Sequence, residues 1–342
     1  MLLELEDADG VTSWSECVAG ETPNYSPETI ATCWIAIDEW IAPKTLGKEF
    51  TNPGALKHEL DTDIRGHNMA KAAVEMGAWA LEAERTGVSL SHLLGGTRDT
   101  IGTGISLGIQ PDPSTLVKKA ADALALGYRK IKLKIKPGAD LEYVAAVRDA
   151  LGDSAPLMVD ANNAFTVADF DHLVRLDEFG LVMIEQPLAW DDVVKHAGLQ
   201  KLLKTPICLD ESITGLDKAE DMLALGSGRI INIKPARVGG FTESKAIHDL
   251  CEREGVPVWC GGMLESGVGR AHNVALASLP NFKIPGDISP SARYWEQDIV
   301  TPEWTMNSEG MVTVPNEEAG IGVKVDIDRV ENLTVKAKVL GQ

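Results

Sequence analysis

The sequence predicts an α/β protein, a (β/α) barrel preceded by a small α+β capping region. Three observations carry that prediction. Short β-rich segments recur regularly after residue 98, helix-like stretches ending near glycine separate most of them, and charged residues stand at or beside the C-terminal ends of five successive segments.

Residues 1–97 form the capping region. Leu2-Leu-Glu-Leu-Glu6 alternates, Asp7-Ala-Asp-Gly10 supplies a turn, and Val11-Thr-Ser-Trp-Ser-Glu-Cys-Val18 returns, which predicts a hairpin. Ser26-Pro27-Glu28-Thr29 reads as a helix start leading to Ile30, Trp34, Ile37 and Ile41 at mostly three- and four-residue spacing. A second helix is expected over 66–86, rich in alanine with Met69, Val74, Met76 and Leu81.

Residues 98–295 form the barrel. Strands are expected at 101–108, 129–135, 156–160, 181–185, 206–210, 230–234, 256–260 and 282–286, with helices such as 139–151, 166–178 and 214–225 between them. Gly127, Gly180, Gly226 and Gly255 sit where helices end. Eight strands at this spacing fit a closed barrel better than an open sheet, and no Gly-rich phosphate loop follows the first strand. Beyond residue 296 the repeat stops. The stretch 310–329 reads as short strands and turns without another helical half, so the tail 296–342 is expected to pack back on the cap.

Composition narrows the partners. A formal net charge of -19 over 342 residues disfavours a nucleic-acid backbone, and no basic patch offsets it. Five cysteines, an odd number without a CxxC pair, read as reduced thiols of a cytoplasmic protein. The first ten residues lack the basic and apolar regions of a signal peptide. No apolar run approaches the roughly 18 residues of a membrane span. A small-molecule partner remains.

The charged strand ends are Lys134, Asp160, Glu185, Asp210 and Lys234, spaced 24 to 26 residues apart. One βα unit has that length, so the five side chains gather at the mouth where barrel active sites lie. Lys132 and Lys134 alternate with Ile131, Leu133 and Ile135, so both lysines share one strand face; a solvated edge strand is the plainer reading. Asp160, Glu185 and Asp210 would repel one another unless a cation compensates, and all-oxygen ligation suits Mg²⁺. Each acid taken singly also reads as a capping or solvent-facing carboxylate. Asn162 and Glu211 are placed to orient ligands or a lysine, and Asn162 alternatively touches the substrate.

This set suits removal of a proton next to a carboxylate. The reaction builds a second negative charge on the carboxylate oxygens, where a cation stabilises it. A lysine crowded by another lysine and a cation is expected to have its pKa lowered toward neutrality and to act as base. Two lysines on opposite sides allow removal on one face and return on the other; one alone supports elimination. The seven histidines show no HExxH or comparable metal spacing and read as surface or packing residues. At the seventh strand exit, Gly261 and Gly262 allow close backbone approach to a ligand and Met263 offers an apolar wall, although a plain tight turn reads as well.

Lys-Ile-Lys-Leu-Lys (130–134), Val-Asp-Ala-Asn (159–162), Ile-Glu-Gln-Pro-Leu (184–188), Leu-Asp-Glu-Ser (209–212), Ile-Asn-Ile-Lys-Pro-Ala-Arg-Val-Gly-Gly (231–240), Gly-Gly-Met-Leu-Glu-Ser-Gly (261–267) and Pro-Gly-Asp-Ile-Ser (285–289) together resemble the enolase superfamily. Within it the chain is similar to the muconate-lactonising subgroup and its o-succinylbenzoate synthase/N-acylamino acid racemase branch. The resemblance covers nearly the whole chain. It implies an enolase-type, modified TIM barrel with Asp160, Glu185 and Asp210 as ligands of Mg²⁺, Mn²⁺ being an alternative. It implies Lys134 as acid/base beside its partner Lys132, and Lys234 on the opposite side. In synthases of this kind the first lysine removes the proton and assists departure of hydroxyl on the same face; in racemases both lysines transfer protons.

Departures refine the expectation. Dipeptide epimerases carry an Asp-x-Asp pair at the last strand for a free ammonium, whereas Gly286-Asp287-Ile288-Ser289 has one acid, Asp287, as the substrate-side candidate. A mandelate-racemase-like histidine is replaced by Gly261-Gly262-Met263. Both favour a carboxylate substrate lacking a free α-amine. The resemblance therefore implies o-succinylbenzoate synthase activity in menaquinone biosynthesis, with N-succinylamino acid racemase activity as the alternative and a noncatalytic metal- or metabolite-binding barrel as the third reading. Relatives begin about 30 residues earlier, so the cap is expected to lack its first strand and mobile loop, unless the true start lies upstream. Homo-oligomerisation stays open, with no interface legible.

Overall fold

A computed structural model describes residues 1–341. The N-terminal hairpin forms as its alternation requires: β1 (Leu2–Glu6) pairs antiparallel with β2 (Thr12–Glu16). Asp7 closes the turn by accepting the Asp9 and Val11 amides at 2.9 and 3.0 Å. The long helix Asn68–Thr86 presses on this hairpin at Gly77, where a Cβ would meet Leu5 Cδ1 at 2.8 Å.

The first cap helix starts later than expected. Thr29 is its N-cap and exchanges hydrogen bonds with Thr32, whose amide it accepts at 3.2 Å. Glu28 turns instead to the start of Asn68–Thr86, where its carboxylate accepts the Met69 and Ala70 amides. Helix Ile30–Ile35 continues through a π-helical turn, Ala36–Ile41, into Ala42–Thr45. Two further helices were not expected: Pro53–Asp63, capped by Asn52 with proline in the first turn, and Leu90–Leu94, capped by Ser89.

Two predicted strands are corrected. The 101–108 segment divides into β3 (Thr100–Gly102), antiparallel to Met311–Thr313, and β4 (Ile105–Leu107), which enters the barrel. The break falls at Thr103-Gly104, where a Cβ on Gly104 would lie 2.7 Å from Lys130 Cε. The barrel continues with β5 (Ile131–Lys134), β6 (Leu157–Asp160), β7 (Ile184–Glu185), β8 (Ile207–Leu209), β9 (Ile230–Ile233) and β10 (Val258–Cys260). These and β4 form a seven-stranded parallel sheet in chain order. The eighth segment, 282–286, is not a strand: Phe282 bridges Val258 and Gly286 bridges Thr103, spanning the gap between β10 and β4. Pro285 has no N–H to donate to a ladder there.

Helices Pro113–Ala125, Leu141–Leu151, Val194–Leu202, Leu216–Leu225, Phe241–Arg253 and Gly267–Ala277 surround the sheet. The predicted 166–178 helix breaks into two 3₁₀ segments flanking Phe170–Leu173, in a stretch whose Val, Thr and Asp residues have low helix propensity. The tail touches both regions. Met311–Thr313 pairs with β3, whereas Lys338 reaches cap Asp38 at 2.6 Å and Lys336 lies 4.0 Å over Trp34. A short helix, Ile327–Leu333, interrupts the end of the stretch expected to be helix-free.

One large apolar core fills the space between strands and helices; a second, including Cys33, Ile41, Leu60 and Met69, holds the cap together. Within the barrel, Trp259 packs with Met158, Met183, Cys208 and Ile230. All five cysteines are buried and unpaired. Among the described residues no helix is long and apolar enough to cross a membrane.

Candidate active site

Strand pleating delivers the charged residues to one mouth. Ile131 and Leu133 join the core outside β5, so Lys132 and Lys134 face inward. Lys134 lies opposite Asp160, and Asp160 opposite Glu185, in the parallel register. Asp210 and Lys234 each stand one residue beyond their strands. Asp160, Glu185 and Asp210 are all but inaccessible, at 1%, 0% and 1% exposure.

The two lysines of β5 differ in what they can reach. The Lys134 side chain is 27% exposed and donates to Asp160 Oδ2 at 2.6 Å and to Asn162 Oδ1. Lys132 is enclosed, with Nζ 3.2 Å from Glu185 Oε2, 3.5 Å from Asp160 Oδ2 and 2.5 Å from Asp287 Oδ2. Burial works against its charge, but Asp287, Glu185 and Asp160 outweigh it and hold the ammonium well above its ordinary pKa. Lys132 is therefore a fixed cation beneath the mouth.

Lys234 sits across the site, 2.9 Å from Asp210 Oδ2 and 4.3 Å over the Tyr25 ring. Its pKa lies above the ordinary lysine value. Burial lowers the value, but Asp210 and then Tyr25 prevail and push it up. Asp210 is correspondingly held far below the usual carboxylate range: Lys234 and Arg237 overcome the cost of burial. Its Oδ1 accepts the Tyr25 hydroxyl at 2.8 Å and Arg237 Nη1. Arg237 is locked in turn by the carbonyls of Ile213 and Asn232.

Glu185 behaves differently. Burial, and then repulsion from Asp160, push its carboxyl up to about 8, although Asn232 Nδ2 donates to Oε1 at 2.7 Å. Glu211 is raised to about 7 by burial and Asp210. Its Oε1 accepts Asn162 and Asn163 side-chain amides at 3.2 and 3.3 Å, and its buried Oε2 has no hydrogen-bond partner. Three buried carboxylates on consecutive strand ends, one of them undercompensated, present oxygen ligands of the kind a hard divalent cation takes.

Backbone strain marks the same rim. Asn162, Asn163 and Gln186 follow the acids at φ of 39°, 68° and 35°. Gln186 ties two strand ends together, accepting the Asp210 amide at 3.0 Å and donating to Ser212 Oγ at 2.6 Å.

At the seventh exit, protein atoms already occupy the space the glycines leave. A Cβ would lie 2.2 Å from Asn232 Oδ1 at Gly261 and 2.4 Å from the Asp287 carbonyl at Gly262. Met263 packs against the cap core. Asp287, expected on the substrate side, instead presents Oδ1 to Lys130 at 3.1 Å and Oδ2 to Lys132. Two buried histidines are tied to backbone: His196 Nε2 accepts the Leu188 amide, and His248 Nε2 the Asn281 amide.

The sequence thus gathers the acids and lysines but gives no role of their own to Tyr25, Asn163, Gln186, Asn232, Arg237 or Lys130. Alternation could have found Asn232, which shares the face of β9 that leads to Lys234, and Lys130, in phase with Lys132. Tyr25 had no local signal, because it reaches Asp210 from the cap.

Known proteins resemble this chain over both of its regions. Residues 1–95 match the mandelate racemase/muconate lactonizing enzyme N-terminal domain, and residues 115–330 the enolase C-terminal domain-like family. An o-succinylbenzoate synthase of Geobacillus kaustophilus is 53% identical over 99% of this chain and 89% of its own length. An N-succinylamino acid racemase of Thermus thermophilus is 47% identical over 96% of the chain and 88% of its length. A crystal structure of an enolase-superfamily member from Listeria innocua superposes with a TM-score of 0.93 at 40% identity, covering 97% of this chain and 88% of that one. A muconate cycloisomerase from Pseudomonas fluorescens gives 0.90 at 27% identity, covering 97% and 92%. With both halves matched in order and relatives of this identity over nearly the full chain, the protein belongs to the mandelate racemase/muconate lactonizing enzyme family of the enolase superfamily.

Proposed function

We propose that the chain is a Mg²⁺-dependent o-succinylbenzoate synthase of menaquinone biosynthesis, acting in the cytoplasm on a small carboxylate. The observation that carries this reading is the contrast between the β5 lysines: Lys134 is accessible and hydrogen-bonded at the mouth, whereas Lys132 is sealed beneath it. Asp160, Glu185 and Asp210 would hold the metal. When bound, Mg²⁺ supplies positive charge where the substrate carboxylate gains its second negative charge.

In this reading the Lys134 amine takes the proton next to the substrate carboxylate. The ammonium so formed returns that proton to the hydroxyl leaving on the same face. The C–H and C–O bonds break, a ring double bond forms, and one water departs. Lys234 contributes a fixed positive charge opposite, kept protonated by Asp210. Residues 1–97 form the cap that shields this mouth, with 98–295 as the catalytic barrel. Asp287 has both oxygens directed to lysines, which supports a substrate without a free α-amine.

N-succinylamino acid racemisation is the second reading, favoured by a lysine on each side of the mouth. One experiment separates the two. Purified chain with Mg²⁺ is given the hydroxylated cyclohexadiene precursor of o-succinylbenzoate, and separately an N-succinylamino acid in ²H₂O with α-deuteration followed by NMR. The proposal expects dehydration at the higher kcat/KM. Faster racemisation reverses the assignment, and no turnover of either substrate removes both.

A further inference from the structure

Below the mouth lies a layer of charge that the proposed reaction does not use. Lys130 is 1% exposed and sits in phase with Lys132 and Lys134 on the inward face. Its ammonium stands 3.3 Å over the Trp259 ring centroid and 3.1 Å from Asp287 Oδ1. The chain of contacts then runs from Asp287 Oδ2 to Lys132 at 2.5 Å and from Lys132 to Glu185 Oε2 at 3.2 Å. The floor is enclosed: Trp259 is fully buried and its Nε1 donates to Cys208 Sγ at 3.3 Å. Gly104, where a Cβ would strike Lys130 Cε, leaves room for the lysine side chain.

Burying an ammonium and a carboxylate is costly even when they pair. Lys130 and Asp287 together add no positive charge to the site, and burial pushes the Lys130 pKa down, so neutralising the acids does not explain them. Lys132 already has Glu185 and Asp160 as counter-ions. What the extra pair adds is direction: with Oδ1 drawn toward Lys130 Nζ at ion-pair distance, Asp287 turns Oδ2 to Lys132.

We infer that Lys130 is a positioning residue which, standing on Trp259 and acting through Asp287, fixes Lys132 and thereby the orientation of Glu185 for metal binding. The inference rests on the reading of Glu185 as a metal ligand.

The test is calorimetric titration of metal-free protein with Mg²⁺ for the unsubstituted chain, Lys130→Met, Lys130→Gln, Lys130→Arg, Asp287→Asn and Lys130→Met/Asp287→Asn. Urea unfolding of each metal-free chain establishes that it is folded. Charge alone predicts unchanged or tighter binding by Lys130→Met and Lys130→Gln, which take no negative charge from the site. Positioning predicts the reverse, a loss of about 10- to 100-fold, the range seen when residues behind a ligand are removed. Lys130→Arg should recover most of that loss, and the double variant should bind no more weakly than Asp287→Asn, because the two act in series. At saturating Mg²⁺, kcat should fall in Lys130→Met while substrate KM stays nearly constant. Unchanged or tighter Mg²⁺ binding by the neutral variants, or additive losses in the double variant, overturns the inference. Absence of Mg²⁺ binding by the unsubstituted chain overturns the metal-ligand reading instead.

Discussion

Tyr25 in the cap donates a 2.8 Å hydrogen bond to Asp210 Oδ1 in the barrel, across 185 residues of sequence. The same ring lies under Lys234. Tyr25→Phe keeps the ring and removes the bond, so it should lower kcat/KM by about tenfold, the low end for a hydrogen bond to a charged group. Tyr25→Leu loses both contacts and should cost more. Steady-state kinetics of the two variants check the order.

The lysines should separate by reaction. Lys134→Ala is expected to lower both dehydration and α-proton exchange by about 10²- to 10⁴-fold, the usual worth of a positioned acid or base. Lys234→Ala should depress racemisation more than dehydration, since only racemisation needs proton transfer on its face. Deuterium incorporation into each enantiomer of an N-succinylamino acid, set beside the rate of o-succinylbenzoate formation, gives the comparison.

Stability of the metal-free chain should fall as pH rises. Glu185 keeps its proton to about 8 and Glu211 to about 7, against 4.5 for an ordinary glutamate. Between those limits these two carboxyls hold protons that the unfolded chain has released, so raising pH favours unfolding, most clearly above 6.5, where the opposing effect of the buried His196 and His272 is complete. Asp160, Asp210 and Asp287 are shifted down, and their contribution is complete above the ordinary value of 3.8 and lost only on acidification below it. Mg²⁺ requires ionised ligands, so its stabilisation should grow over the same interval and vanish with a chelator. Urea midpoints from about pH 5 to about pH 8.5, with and without Mg²⁺, measure both trends, and Glu185→Gln should flatten the metal-free slope.

Gly261→Ala and Gly262→Ala should each destabilise the fold by about 1–3 kcal/mol through overpacking. Gly262 is expected to cost more, because its added Cβ meets the Asp287 backbone carbonyl, whereas at Gly261 the Asn232 side chain can move. Asn232 would then leave Glu185, so Gly261→Ala should also weaken Mg²⁺ binding. Urea unfolding and calorimetry distinguish the two effects.

Docking of the cap can be tested at Glu75. This fully buried carboxylate accepts from the Phe241 and Thr242 amides at 2.7 and 2.9 Å, and from the Thr242 hydroxyl and Trp79 Nε1. Glu75→Ala leaves several donors unpaired and should cost at least about 3 kcal/mol, read as a shift in the urea midpoint.

The sequence by itself determined the barrel and its five charged strand ends, because both follow from short-range rules. The βα repeat length sets the angular position of each strand, and alternation sets which side chains face inward, so Lys134, Asp160, Glu185, Asp210 and Lys234 are gathered by the order of residues alone. It did not determine where pairing stops. The 282–286 segment had a strand's composition but found only isolated bridges, and 101–108 split because Lys130 passes beside Gly104. Nor could it distinguish the lysines of β5, which differ in reach because Asp287, more than 150 residues away, draws Lys132 down while Lys134 stays at the rim. Tyr25, Arg237 and Asp287 acquire their roles from contacts between distant segments, and the charge state of a buried group depends on every neighbour packed against it. Those relationships exist only in the folded chain.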